Sequence, residues 1–163
     1  MPSSVSEPAR NGSAFESLAD PNAWSWVEAA EDPIAATVQE PIVRCGPADV
    51  ITESGGLEIS TTNCNYVLLE QPLAQALDAG SQLRVVVWWQ RLASTSPAQG
   101  HLSLTVDESE IWTRAIDIPG PADVADDIVR LDQTYAAGSR LQFHLRNHGY
   151  NTWNLNRIEA QSP

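Results

Sequence analysis

The sequence contains no lysine, so all of its permanent positive charge comes from nine arginines. Those arginines are outnumbered by 21 aspartates and glutamates, which gives a net charge of −12 at pH 7. Proteins that bind the phosphates of nucleic acids or the surface of anionic membranes do so through a basic surface. The charge balance therefore argues against polyanionic partners, and no nucleic-acid partner is expected.

Long apolar runs are also missing. No stretch approaches the roughly 20 apolar residues that a membrane-spanning helix needs, and residues 1–7 have neither the basic end nor the apolar run of a secretory signal. Membrane insertion is therefore not expected. The chain is compatible with a cytoplasmic protein or with an exported one whose signal sequence is not part of this chain.

Cysteine is scarce. Cys45 and Cys64 are the only two, and a disulfide between them would close a loop of about 19 residues and contribute about 3 kcal/mol in the chain-entropy model. The alternative is a pair of reduced thiols buried as small apolar side chains. No Cys-X-X-Cys redox motif is present. A disulfide is the favoured interpretation, and it predicts an oxidising location that is extracellular, periplasmic or at the cell surface.

Helical periodicity is absent as well, and short apolar runs recur instead between glycine and proline breakers. In 139–148, for example, Leu141, Phe143 and Leu145 alternate with His144 and other polar residues, which is the period of a half-buried strand. We predict an all-β fold, an antiparallel β-sandwich of about eight to nine strands. The predicted strands are 57–61, 66–73, 82–92, 101–106, 111–118, 128–132, 141–147 and 152–159.

The length of 163 residues suits one domain of ordinary size. Residues 1–14 are rich in Ser, Pro, Gly and Asn and contain almost nothing apolar, so they cannot offset the entropy of ordering. We therefore predict a flexible N-terminal tail over 1–14 and a single β-sandwich domain over 15–161.

Four features occur in a familiar order: a Trp-bearing first strand at 23–28, the run 67–73, a long strand after Gly80, and the closing segment 151–158. This order resembles the galactose-binding-like jelly rolls, which include many carbohydrate-binding modules. The resemblance implies a jelly-roll sandwich whose first and last strands lie side by side. Members of that superfamily can hold a structural calcium near the chain ends, but no ligand set for it can be matched here, so no cofactor is predicted.

Three shorter segments, 45–46, 64–66 and 147–153, are similar to those of a small family of exported bacterial proteins of unsettled function. This similarity implies a secreted or cell-surface protein. It supplies no chemistry.

Signals for catalysis are weak. The sequence has no Gly-X-Ser-X-Gly turn, phosphate-binding loop or dinucleotide fingerprint. Carboxylates cluster at 107–110 between two strands, but in so acidic a chain a solvated loop is the simpler interpretation. We predict that the protein is not an enzyme.

Sugar binding is better motivated, because aromatic rings pack against the C–H faces of sugars and planar polar side chains bond their hydroxyls. We predict a noncatalytic extracellular module that recognises a glycan or cell-surface polysaccharide. The predicted patch takes outward-facing residues of three strands and of the turn at Gly149, namely Trp88, His101, His144, Arg146 and Tyr150.

Two other functions stay open. An exposed strand edge would allow a structural or assembly protein that self-associates or binds another protein subunit. A His-based metal-binding protein is the third hypothesis, because neutral imidazole is a common ligand of zinc and copper. Against a site that uses both His144 and His148, an extended strand at roughly 3.3 Å per residue would hold those rings about 13 Å apart.

Overall fold

The structure is a computed structural model that describes residues 14–163. The predicted flexible tail, 1–14, therefore lies outside the described residues except for Ala14, and the domain bounds 15–161 stay a prediction. Within 14–163 there are eleven strands: β1 (Glu16–Ser17), β2 (Ser25–Trp26), β3 (Val50–Glu53), β4 (Gly56–Ser60), β5 (Tyr66–Pro72), β6 (Gln82–Trp89), β7 (Ala98–Val106), β8 (Ser109–Ile118), β9 (Asp123–Arg130), β10 (Arg140–Arg146) and β11 (Thr152–Gln161).

The strands form two antiparallel sheets. One has six strands in the order β3-β4-β11-β6-β9, with β1 also paired to β11, and the other has five in the order β2-β5-β10-β7-β8. The predicted antiparallel β-sandwich is confirmed. The short strand β1 lies beside the last strand, with Glu16 paired to Ala160. The Trp-bearing strand β2, which the sequence offered as the first strand, pairs instead with β5 in the other sheet.

All eight predicted strands are present, with ends that differ by a few residues, and the Trp-bearing first strand is present as the short β2; β1 and β3 are additional short strands. The largest difference is at β9, which begins at Asp123 rather than near Ile128. The acidic residues of this stretch obscure the strand pattern in the sequence. In the structure, Asp126 and Asp127 form ion pairs with Arg84 and Arg114 respectively. Two 3-10 turns, Ala29–Glu31 and Ala35–Thr37, are the helical segments of the described residues, and none there has the length and apolarity of a membrane span.

Apolar side chains from both sheets fill the space between them. Trp153 of β11 is fully buried, and its ring lies 6.1 Å from that of Trp89, centroid to centroid. Gly100 of β7 lies directly against Trp153, and a Cβ added to it would come within 2.5 Å of the indole. The core thus depends on a missing side chain at Gly100 to seat its largest residue.

The predicted disulfide between Cys45 and Cys64 is present, with the two Cα atoms 5.0 Å apart. It joins the chain before β3 to the chain immediately before β5. The disulfide therefore fixes one end of the segment 27–44, which follows β2 and leads to Cys45. This segment is called the crossing segment below.

Candidate functional site

The outer face of the five-stranded sheet carries most of the predicted ligand residues. On β10, Leu141, Phe143 and Leu145 face the core, so His144 and Arg146 face outward. The pairing of β10 with β7 sets Arg146 opposite His101. The structure thus brings together three of the five residues of the predicted patch.

The crossing segment covers the β5 side of this outer face. Val27, Tyr66 and Leu68 form a second apolar cluster outside the main core, and Ile34 and Val38 of the segment pack against it. The β5 side of the sheet is therefore closed. The outward side chains of β7 and β10 form the floor of a groove beside the segment, and several of them, including His144 and Gln142, are themselves buried.

A buried carboxylate holds the crossing segment in place. Asp32 accepts hydrogen bonds from the Tyr66 hydroxyl at 2.7 Å, from the Arg44 guanidinium at 2.6 Å, and from the backbone amides of Ile34 and Ala35 at 2.9 Å each. Burial alone would raise the pKa of Asp32, but these hydrogen bonds outweigh it and the pKa is lowered. The charged carboxylate is therefore the stable form, and it fixes the wall of the groove.

The groove consists of two cavities that share His101 and Arg146 in their walls. The larger, of about 430 Å³, lies between the crossing segment and the β7–β10 floor and is lined by Ser103, His144 and neighbouring polar residues. The second, of about 410 Å³, continues towards the end of the sheet. Arg146 donates a hydrogen bond to Glu40 of the crossing segment at 3.2 Å. This ion pair lies where the two cavities meet.

His144 is the most unusual side chain in the groove. It is only 7% exposed, its ring lies 5.0 Å from that of Tyr66, and its Nε2 has no hydrogen-bond partner within residues 14–163. Burial lowers the pKa of His144 to about 4; the positive charges of Arg146 and His101 act in the same direction, against Asp32. The imidazole is therefore neutral at pH 7, and its buried Nε2 is left without a hydrogen bond in the described part of the chain.

The other polar groups of the groove differ in how far they are already occupied. Gln142 donates to Glu70 at 3.1 Å and accepts from Thr105 at 3.4 Å, so its amide is held in place. His101 is half-buried, and burial together with Arg146 lowers its pKa, against the charge of Glu40. A neutral His101 can donate or accept a hydrogen bond at the junction of the two cavities.

His148 lines the second cavity, although it is not part of the predicted patch. Its Nε2 lies 3.0 Å from the carbonyl oxygen of Ala93, so Nε2 must donate, and the buried Nδ1 is left without a partner. The tautomer that carries its proton on Nε2 leaves Nδ1 as an acceptor. The sequence signal for His148 is the glycine that follows it, because glycine marks a turn. In the structure Gly149 has a φ of +98° and turns the chain there.

The remaining two residues of the predicted patch lie elsewhere. Tyr150 follows the turn, is 75% exposed, and its ring lies 6.5 Å from that of His148, so it is near the outer end of the second cavity. Trp88 is on β6, on the outer face of the other sheet. The five residues therefore do not form one continuous patch.

Metal ligands are not gathered in the groove. Across residues 14–163, the one group of three His, Cys, Asp or Glu side chains close enough to share an ion is Cys45, Asp49 and Cys64. Both sulfur atoms of that group are joined in the disulfide, so they are not thiolate ligands.

No protein-family model matches the chain, and no curated protein matches it.

Several solved structures are similar to this chain in fold. The xylan-binding module CBM15 superimposes with a TM-score of 0.53, at 11% identity, over 93% of this chain and 97% of that one. The module TmCBM61, solved with β-1,4-galactotriose, gives a TM-score of 0.42 at 8% identity over 75% and 81% of the two chains. The C-terminal CBM6 of LamC from Zobellia galactanivorans gives 0.41 at 22% identity over 70% and 89%. The chain has a jelly-roll sandwich fold like that of CBM15, as the resemblance seen in the sequence implied.

Proposed function

We propose that this chain is a noncatalytic glycan-binding module and that the groove on the five-stranded sheet is its binding site. The observation that carries the proposal is His144, a buried and neutral imidazole whose Nε2 has no partner in the described part of the chain and which lines an open cavity. Buried polar groups are rarely left without a hydrogen bond unless a ligand or water completes them. A sugar hydroxyl can both donate and accept, so it satisfies this nitrogen in either tautomer.

The groove would hold a sugar mainly through hydrogen bonds. The Arg146 guanidinium offers several donors in one plane, which suits neighbouring hydroxyls of a pyranose. Ser103 and His101 add groups that donate or accept along the floor. The Tyr66 ring is completely buried beneath the crossing segment and cannot stack on a ligand, so Tyr150 at the outer end is the ring proposed to do so.

The charges around the groove favour a neutral glycan. Glu108 and Glu110 line the larger cavity and Glu40 lines the smaller one, while Arg146 is already paired with Glu40. A chain of uronic acids would meet like charges at each of these positions, in a protein whose net charge is already −12. Neutral xylan is the first ligand to test, because the fold is shared with a module named for xylan binding.

The location proposed for the module is outside the cytoplasm, as a secreted or cell-surface protein. The Cys45–Cys64 disulfide supports this location, because disulfides persist in oxidising compartments. A polysaccharide of a cell surface or of the surroundings is the partner that such a location provides. The same sample can be checked by light scattering for self-association, the property expected of an assembly protein.

The test is affinity electrophoresis through gels that contain neutral soluble polysaccharides, with xylan and β-1,4-galactan first and polygalacturonate as the charged comparison. We expect retention by a neutral glycan, weakened about five- to tenfold by His144→Phe and by Arg146→Ala, each of which removes a hydrogen bond to the ligand. Arg157→Ala is the matched control, because Arg157 is an exposed arginine on the other sheet that is also paired with a glutamate.

Thermal melts and circular dichroism of each variant show that the fold is kept. Equal retention of the wild type, His144→Phe and Arg146→Ala would reject the groove as the site. A folded wild type that no polysaccharide retains would reject glycan binding itself.

A further inference from the structure

The outer face of the six-stranded sheet carries a row of side chains at one register. Pairing across β3, β4, β11, β6 and β9 aligns Ile51, Glu58, Asn154, Trp88 and Val124, in that order. Residues directly opposite each other in antiparallel strands point to the same face. This row therefore lies on one surface, on the opposite side of the sandwich from the groove.

Trp88 is an exposed aromatic ring in the middle of this row. Its side chain is 38% exposed, whereas Trp89, next along the chain, is 5% exposed because it faces the core. Val124, its neighbour on β9, is 55% exposed. Together the two form an apolar platform on this sheet face, and such a platform is the surface against which the C–H face of a pyranose packs.

Asn154 lies beside Trp88 and carries an unused hydrogen-bonding group. The residue is 7% exposed, and its Nδ2 is buried without a partner within residues 14–163. It lines a cavity of about 210 Å³ together with Trp88 and Glu58. An amide left in this state costs free energy in the absence of a ligand, and a sugar hydroxyl beside the indole would satisfy it.

We propose that Trp88, Asn154 and Glu58 form a second sugar-binding site, separate from the groove. Trp88 stacks on the ring, the Asn154 amide donates to one hydroxyl, and the Glu58 carboxylate accepts from another. Glu53 and Glu58 both line the cavity, so the ligand is a neutral pyranose rather than a uronate. The cavity has about half the volume of the larger groove cavity, so this site binds a shorter stretch of polysaccharide.

The position of the site has a consequence for the whole module. Two binding sites on opposite sheets engage two separate polysaccharide chains, or two distant stretches of one chain. A module with both sites cross-links soluble polysaccharide, while a module with one binds without cross-linking. The inference shares its ligand class with the proposed function but not its residues, so either can fail alone.

The test uses four proteins: the wild type, His144→Phe, Trp88→Ala and the double variant. The control for Trp88 is Ile128→Ala, since Ile128 is an equally apolar, 54% exposed side chain of the same sheet that does not line the cavity. The probes are xylohexaose, β-1,4-galactotriose and soluble xylan. Calorimetric titration gives the number of sites, and mass spectrometry after mild N-bromosuccinimide oxidation measures the protection of Trp88 by each oligosaccharide.

We expect oligosaccharide to protect Trp88 from oxidation, and Trp88→Ala to weaken the binding that remains in His144→Phe by about tenfold, as loss of a stacking aromatic would. Ile128→Ala should leave that binding unchanged. If polysaccharide still retains His144→Phe but does not retain the double variant, the second site is supported even when the groove is not a binding site. Unprotected Trp88, or equal binding of His144→Phe and the double variant, overturns it. A change in sedimentation of Trp88→Ala without a change in sugar binding identifies the face as a protein contact and also overturns it.

Discussion

Acid should destabilise this protein because of His144, and the size of the effect follows from its burial. The pKa of a histidine is ordinarily 6.5, and burial lowers that of His144 to about 4 in the folded state. The unfolded chain therefore takes up a proton as the pH falls through 6.5, whereas the folded protein does not until about pH 4. The contribution of the neutral ring to the free energy of unfolding is fully present above pH 6.5 and is lost as the pH falls from 6.5 to 4. The loss is about 2 kcal/mol at pH 5 and about 3 kcal/mol at pH 4.

The assay is urea unfolding followed by tryptophan fluorescence at pH 7 and pH 5, for the wild type and for His144→Phe, which keeps a ring beside Tyr66 but cannot ionise. The free energy of unfolding should fall by about 2 kcal/mol more for the wild type than for the variant between pH 7 and pH 5. Asp32, Asp107 and Asp126 contribute little in this window, because their carboxyls have a pKa of 3.8 in the unfolded chain and a lowered pKa in the folded protein, both below pH 5. An equal loss in both proteins would refute a neutral, buried His144.

Three further changes test the rest of the structure. Replacing Cys45 and Cys64 together by serine should lower the free energy of unfolding by about 3 kcal/mol, measured by urea denaturation, because the unfolded chain regains the freedom of the closed loop. Gly100→Ala should cost about 1–3 kcal/mol in the same assay, since the new Cβ would overlap Trp153. Asp32→Ala should cost about 3 kcal/mol, because it leaves the buried partners of the carboxylate unpaired, and should also weaken polysaccharide retention by loosening the groove wall.

Each of these predictions has its own control. Dithiothreitol should destabilise the wild type but leave the double serine variant unchanged, and a similar response of both would contradict the role of the disulfide. Gly46→Ala should be tolerated, because the nearest atom to its new Cβ is 3.9 Å away; a cost as large as that of Gly100→Ala would reject the packing argument. Tyr66→Phe removes one of the four donors to Asp32 and should cost less than Asp32→Ala.

The alternation along β10 is a local pattern, and it predicted both the strand and the outward direction of His144 and Arg146 correctly. It could not predict that His144 would be buried. That burial comes from the crossing segment, which is held against the sheet by Asp32, Tyr66 and Arg44. Those residues are separated by up to 34 positions, and no local period links them.

Trp88 shows a different limit of sequence reasoning. The sequence placed Trp88 among the outward-facing residues, and its ring is indeed 38% exposed, while Trp89 beside it faces the core. The assignment of β6 and β10 to different sheets is a matter of strand order, which depends on long-range pairing with β11 and β9 rather than on composition. A predicted patch that joined Trp88 to His144 therefore combined the outer faces of two sheets.

Nuclear magnetic resonance titration of the labelled protein with xylohexaose tests the central claim most directly, because it reports where on the sandwich a glycan binds. Our account predicts shifts concentrated on β7 and β10, with the ring signals of His101 and His144 among the largest, and a smaller second set around Trp88. If neither xylohexaose nor the other neutral oligosaccharides shift the β7 and β10 signals of the folded protein, the groove is not a glycan-binding site and the proposed function is contradicted.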